Sequence, residues 1–297
     1  MPIFEAAALL AAITWAFTSI ISADPAKHLG AIAFNQLRMT IVFVALGFWV
    51  TLSGQWSSLS SATFWPLVAS GFIGIFLGDT ALFLTMNRLG PRRTAVLFSM
   101  NAPMSVALGY LVLGETLQPL TMLGIAITIV GVVLAIIYGK RKTQLHKWED
   151  INGKLWIGVV LGLVSALAQA VGALIARPVM ETGVDPVAAS AVRVGISALG
   201  LTILMQLPYA MLKQSNPATP RVFGQVALSG LLGMGVGMTL LLFALSGGKV
   251  GIVTTLSATT PVLLLPILWW QTKEAPAIGA WVGALCVVVG SGLIFNG

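Results

Sequence analysis

Charge is what this chain has least of. Lys, Arg, Asp and Glu together make up 8% of its 297 residues, against about 25% in an ordinary soluble domain. So few charges cannot wet the surface of a soluble fold of this length. Cysteine is almost missing too. Cys286 stands alone, so no intramolecular disulfide can form and the redox compartment is not legible. Histidine occurs only at His28 and His146, both in polar gaps without a spaced partner. No metal-ligand cluster, phosphate-cradling loop or nucleophile elbow is present. Neither a metal, a cofactor nor a catalytic centre is therefore expected. A membrane-bound lipid enzyme would need His, Asp or Ser clusters at the bilayer surface, and the sequence offers none. The 16 basic residues exceed the 9 acidic ones, for a net charge of +7. They sit in short gaps between apolar runs, which reads as a topology signal rather than a nucleic-acid surface.

What the chain has in abundance is long apolar runs, with 57% of its residues hydrophobic. A spanning helix needs roughly 20 such residues. Ten segments qualify: about 3–22, 32–52, 65–86, 94–113, 118–138, 155–176, 186–208, 223–246, 250–270 and 275–296. β-barrel strands would be about half as long and alternate in polarity. The first segment opens Met1-Pro2-Ile3-Phe4-Glu5. It lacks the basic start of a cleaved leader and reads as a membrane helix.

The longest polar stretch, Lys140 to Lys154, leaves five segments on each side. The two sides repeat one another. Arg38 lies early in the second segment and Arg193 early in the seventh. Pro103 and Pro261 lie within the fourth and ninth, each four residues after a serine, Ser99 or Ser257. Glu115 precedes Gly124 and Gly131 at the spacing by which Glu274 precedes Gly283 and Gly290. Matches in the same order indicate a duplication. Five is odd, so a second half joined by a linker that does not cross enters from the opposite face. The expected fold is thus an all-α integral membrane protein with ten transmembrane helices, arranged as two inverted five-helix repeats around a central cavity. Residues 1–139 form the first repeat, 140–153 a basic cytoplasmic linker and 154–297 the second repeat. Inverted repeats are a common design of secondary transporters. Twelve Lys and Arg lie in gaps on the linker's side and two, Arg177 and Lys249, on the other. That bias places the linker in the cytoplasm and both termini outside.

These features resemble the drug/metabolite transporter superfamily, specifically its ten-helix branch of two EamA-type repeats. The resemblance spans nearly the whole chain. It is carried by Gly114-Glu115 with Gly124 and Gly131, by Glu274 with Gly283 and Gly290, and by Pro103 and Pro261. Within the superfamily the chain is most similar to the YddG-type aromatic amino-acid exporters of bacterial inner membranes. The resemblance implies a cavity between the repeats, with the fifth and tenth helices as outer support.

Several residues are candidates to line that cavity. Asp79 is the only acid well inside a segment, which makes it a functional candidate. It either pairs with Arg38, at similar depth, or binds a substrate amine or a proton, or lines the cavity without a partner. Arg193 has no acid at its depth, and either snorkels toward Asp185 or Glu181 or meets a substrate carboxylate. Pro103 and Pro261 within helices would release the carbonyls of Ser99 and Ser257. Polar Asn101, Thr259 and Thr260 beside them suggest a cavity wall rather than a packed kink. Trp15 and Gln169 lie at corresponding mid-segment positions, serving either packing or the cavity. Phe83, one turn from Asp79, would form an apolar wall. The seven-residue spacing of Gly124/Gly131 and of Gly283/Gly290 puts each pair on one helix face for close packing. The expected protein is a multi-pass transporter of the bacterial inner membrane that works as a monomer. It would export amino acids, aromatic ones included, and similar small metabolites by alternating access. The alternatives are a multidrug, organic-cation or nucleotide-sugar carrier of the same superfamily.

Overall fold

Several helices open on side-chain caps in the computed structural model, which describes residues 3–113, 118–140, 146, 148, 150–209, 212–247, 256–257 and 259–296. The first half contains α1 (Ile3–Leu29), α2 (Ala31–Ser53), α3 (Ser61–Gly71), α4 (Gly78–Phe98), α5 (Asn101–Leu113) and α6 (Pro119–Ile137). The second contains α7 (Leu155–Glu181), α8 (Pro186–Leu204), α9 (Pro220–Gly230), α10 (Met238–Gly247), α11 (Thr260–Thr272) and α12 (Ile278–Asn296). Ser60 and Thr63 form a reciprocal capping box at α3. Asp185 accepts from the Val187 and Ala188 amides, both at 2.9 Å, at the start of α8. Proline takes the first helical position in α6, α8 and α9, where its missing N–H costs nothing. Among the described residues every regular element is helical.

Seven described helices are long and apolar enough to cross a membrane, by length and composition. One of them, Ser61–Phe98, runs 38 residues and joins the expected third segment to the start of the fourth. The two are separated at Gly90, whose φ of 78° and ψ of 169° are not helical. A Cβ there would collide with the Trp148 carbonyl of the linker, so only glycine permits the break. The tenth segment appears as the shorter apolar helix Ile278–Ile294. Large apolar side chains such as Phe48 (67% exposed), Leu111 (74%) and Trp270 (70%) face outward. That surface suits lipid.

Some expected boundaries move. α1 continues past the expected residue 22 to Leu29, carrying Asp24 within it. The Asp24 carboxylate accepts from the Trp148 indole at 3.0 Å, so an acid beyond the expected end of the first segment is a helical residue with a partner. Arg92 and Arg93, expected in a gap, are buried in α4. Arg92 Nη1 donates at 2.7 Å to the Ala135 carbonyl in the last turn of α6, an acceptor that the helix itself leaves open.

Pro103 and Pro261 do not kink continuous helices as expected. The fourth segment is interrupted at Ser99 and Met100, and Pro103 falls in the first turn of α5. Pro261 occupies the first turn of α11. Neither serine carbonyl is left free. The Ala102 amide donates to Ser99 O at 3.2 Å, and Thr260 Oγ1 donates to Ser257 O at 3.1 Å. The physical reason is that proline fits the first turn of a new helix without losing a hydrogen bond.

Helix packing relies on small residues, since lipid removes most of the hydrophobic drive between helices. A Cβ on Gly124 would lie 2.6 Å from Gly290 O, and one on Gly131 2.7 Å from Gly283 O. The backbones of α6 and α12 therefore touch. Gly114 and Glu115 lie outside the described residues. Glu274 accepts from the His146 amide at 3.3 Å.

Two π-helical turns occupy matching places, Phe72–Leu77 between α3 and α4 and Leu231–Gly237 between α9 and α10. Such turns insert an extra residue and re-aim the side chains that follow. Just before each, a glycine lets a helix of the other half approach. Gly71 meets the Arg193 backbone, and Gly230 meets the Arg38 side chain and carbonyl.

Candidate functional site

These two close approaches place the buried arginines beside the residues that follow the π turns. Arg38 on α2 is almost wholly buried. Its Nη2 donates to Asp79 Oδ2 at 2.5 Å. The guanidinium also lies over the Phe83 ring, 4.6 Å from its centroid, with the Phe34 ring at 6.0 Å. Phe34 and Phe83 meet edge to face at 4.7 Å. Asp79 has left the water that would solvate its charge, and Arg38 supplies both a counter-ion and a donor.

The second half repeats this contact with one change. At the offset separating Gly124 from Gly283, the residue matching Asp79 is Met238. Arg193, the counterpart of Arg38, donates from Nη1 to Met238 Sδ at 3.4 Å. It does not snorkel outward as one expectation had it. Asp185 is engaged in capping α8, Glu181 accepts from Arg177 at 3.3 Å, and Arg193 is 2% exposed.

A cavity of about 180 Å³ lies between the halves. Of the residues singled out from sequence, Trp15, Arg38, Asp79, Phe83, Ser99, Asn101, Gln169, Ser257, Thr260 and Pro261 line it. Thr259 and Pro103 do not. Thr259 Oγ1 is engaged with Leu256 O at 2.7 Å. Trp15 Nε1 donates to the carbonyl of Gly233, in the second π turn, at 3.0 Å. α1 is thereby tied to the opposite repeat's irregular turn. The Asn101 and Gln169 amides line the cavity and have no hydrogen-bond partner among the described residues. Ser105 joins them on the wall. They are polar handles on an otherwise apolar surface, the make-up of a small-molecule pocket.

The sequence reading missed Thr18, Ser22, Ser105, Met234 and Met238, all of which line the cavity. Part of the signal was present. Thr18 and Ser22 fall three and seven residues after Trp15, and Ser105 four after Asn101, which are same-face helical spacings. Nothing in the sequence marks the two methionines.

Among the described residues, helices apolar enough to cross a membrane surround an internal cavity, the architecture of a multi-pass membrane protein. The sequence model of the EamA-like transporter family matches residues 3–137 and again residues 156–296. The chain belongs to the EamA-like transporter family, and so to the drug/metabolite transporter superfamily, whose members transport rather than catalyse. One solved crystal structure superposes with a TM-score of 0.71, covering 98% of this chain and 95% of its own, at 17% identity. At that identity it shows the fold alone. No curated protein sequence matches the chain.

Proposed function

We propose that the protein exports amino acids, aromatic ones among them, and similar small metabolites across a bacterial inner membrane by alternating access. In this reading residues 1–139 and 154–297 are inverted repeats that rock about the cavity, with the basic linker in the cytoplasm. One observation carries it. The cavity, lined from both halves, combines an apolar and aromatic wall with amides unpaired among the described residues and a buried Arg38–Asp79 pair. An amino acid has matching parts, with an apolar side chain for Phe83 and Trp15 and polar ends for Asn101 and Gln169. Apolar shape discriminates by only about 1–3 kcal/mol per methylene, so such a pocket takes several large apolar side chains.

The test is transport by purified protein in liposomes, with labelled phenylalanine challenged by unlabelled phenylalanine, methionine, glutamate and methyl viologen. Phenylalanine and methionine should compete strongly and glutamate weakly. Trp15→Ala and Asn101→Ala should each weaken competition. If both variants keep wild-type affinity for every competitor, the site lies elsewhere. Transport of methyl viologen with none of phenylalanine would make the protein an organic-cation carrier instead.

A further inference from the structure

The pseudo-symmetry of the two halves is broken at one chemically important place. Arg38 faces a carboxylate, whereas Arg193, in the matching position, faces the thioether of Met238. A thioether is a weak acceptor and carries no charge. Arg193 Nε is buried without a partner. Among the described residues, Met238 is the side chain's only hydrogen-bond partner. Asp79 is the only acid among the described residues lining the cavity. Two guanidinium groups thus share one carboxylate in the interior of a membrane protein, leaving one positive charge without its complement. An unpaired charge in such surroundings is costly and marks a functional group.

The position of Met238 suggests how that charge is reached. Met238 lines the cavity and touches Arg193, which does not line it. Methionine is unbranched, with three rotatable bonds, and here it follows the glycine-rich π turn Leu231–Gly237. A rotation of its side chain would open the Arg193 fork to the cavity. A guanidinium takes a carboxylate through two parallel N–H···O bonds. Arg38 is less suited, since Asp79 and the Phe83 ring already occupy it.

We propose that Arg193 is the anion site of this transporter, reached past Met238, and that it takes the carboxylate of the carried molecule. The choice of a carboxylate as the cargo's group rests on the amino-acid reading above. The presence of an anion site does not.

The test compares 3-phenylpropionate with its neutral isostere 3-phenylpropionamide, and adds acetate as a minimal carboxylate. Binding is read as thermal stabilisation and equilibrium affinity of the purified full-length protein. The wild type should prefer the carboxylate over the amide by roughly tenfold or more, since hydrogen bonds to a charged group contribute that much. Acetate should stabilise it as well. Arg193→Gln should lose the preference. Met238→Asp should also lose it, because the new carboxylate would pair with Arg193 as Asp79 pairs with Arg38. Arg177→Gln, which removes an exposed charge, should keep the preference. If folded Arg193→Gln binds 3-phenylpropionate as tightly as the wild type, the anion site is overturned. Should that variant not fold, Met238→Asp decides alone, and retained preference there overturns the proposal. Failure of both acetate and 3-phenylpropionate to bind the wild type overturns it too, whatever phenylalanine does. If the carboxylate preference holds but phenylalanine is neither bound nor carried, the amino-acid reading falls and the anion site stands.

Discussion

At the scale of the residue, the Arg38–Asp79 contact governs the most. Asp79→Asn would leave the Arg38 guanidinium buried without its counter-ion, at a cost of about 3–5 kcal/mol by comparison with other buried pairs. Thermal unfolding in detergent should show a marked loss for the single variant. The double variant Asp79→Asn/Arg38→Gln should recover much of it, because both charges leave together. A single variant as stable as the wild type would mean that the pair adds nothing to folding. This contact was legible in the sequence, since an acid and a base at similar depth within apolar segments have few other partners. The surroundings of Arg193 were not. Its neighbour is a methionine, which carries no polar signal, and the two meet only through the packing of α8 on α10.

Among the helices, the glycine contact between α6 and α12 makes the sharpest prediction. Gly131→Val and Gly283→Val each place a side chain where a Cβ already lies within 2.7 Å of the opposing helix. Overpacking of this kind costs typically about 1–3 kcal/mol. Gly235→Ala is the control, since a Cβ there meets nothing within 4 Å, and it should shift stability by no more than about 0.5 kcal/mol. Melting curves of the three variants decide the matter. Equal losses in all three would show that the α6–α12 approach is not tight. The seven-residue glycine spacing was legible because it depends on helix geometry alone. The two interrupted segments were less so. A proline within an apolar run signals a bend, but whether it sits inside a helix or starts a new one depends on the residues preceding it. Here Ser99 and Met100 turn before Pro103.

Across the whole molecule, the prediction concerns orientation. The charge bias predicts a cytoplasmic linker and external termini. Single cysteines placed in the linker and at the C-terminus of a Cys286-free variant should report it. An impermeant thiol reagent applied to intact cells should label the terminus and spare the linker, and the reverse pattern would invert the topology. The all-helical, multi-pass character was determined by the sequence alone. In lipid each backbone polar group must be satisfied within its own segment, so the length and apolarity of a segment decide its structure without reference to neighbours. The internal duplication was readable for a similar reason, because repeated spacings need no third dimension. Which polar groups share the cavity, and what Arg193 meets in place of an acid, was decided only by the tertiary structure. A soluble helix carries an apolar stripe that shows which side faces the core. A membrane helix is apolar toward lipid and toward protein alike, so its sequence does not say which face turns inward. That choice falls to close contacts such as Gly71 on Arg193 and Gly230 on Arg38, which exist only once the two halves are packed together.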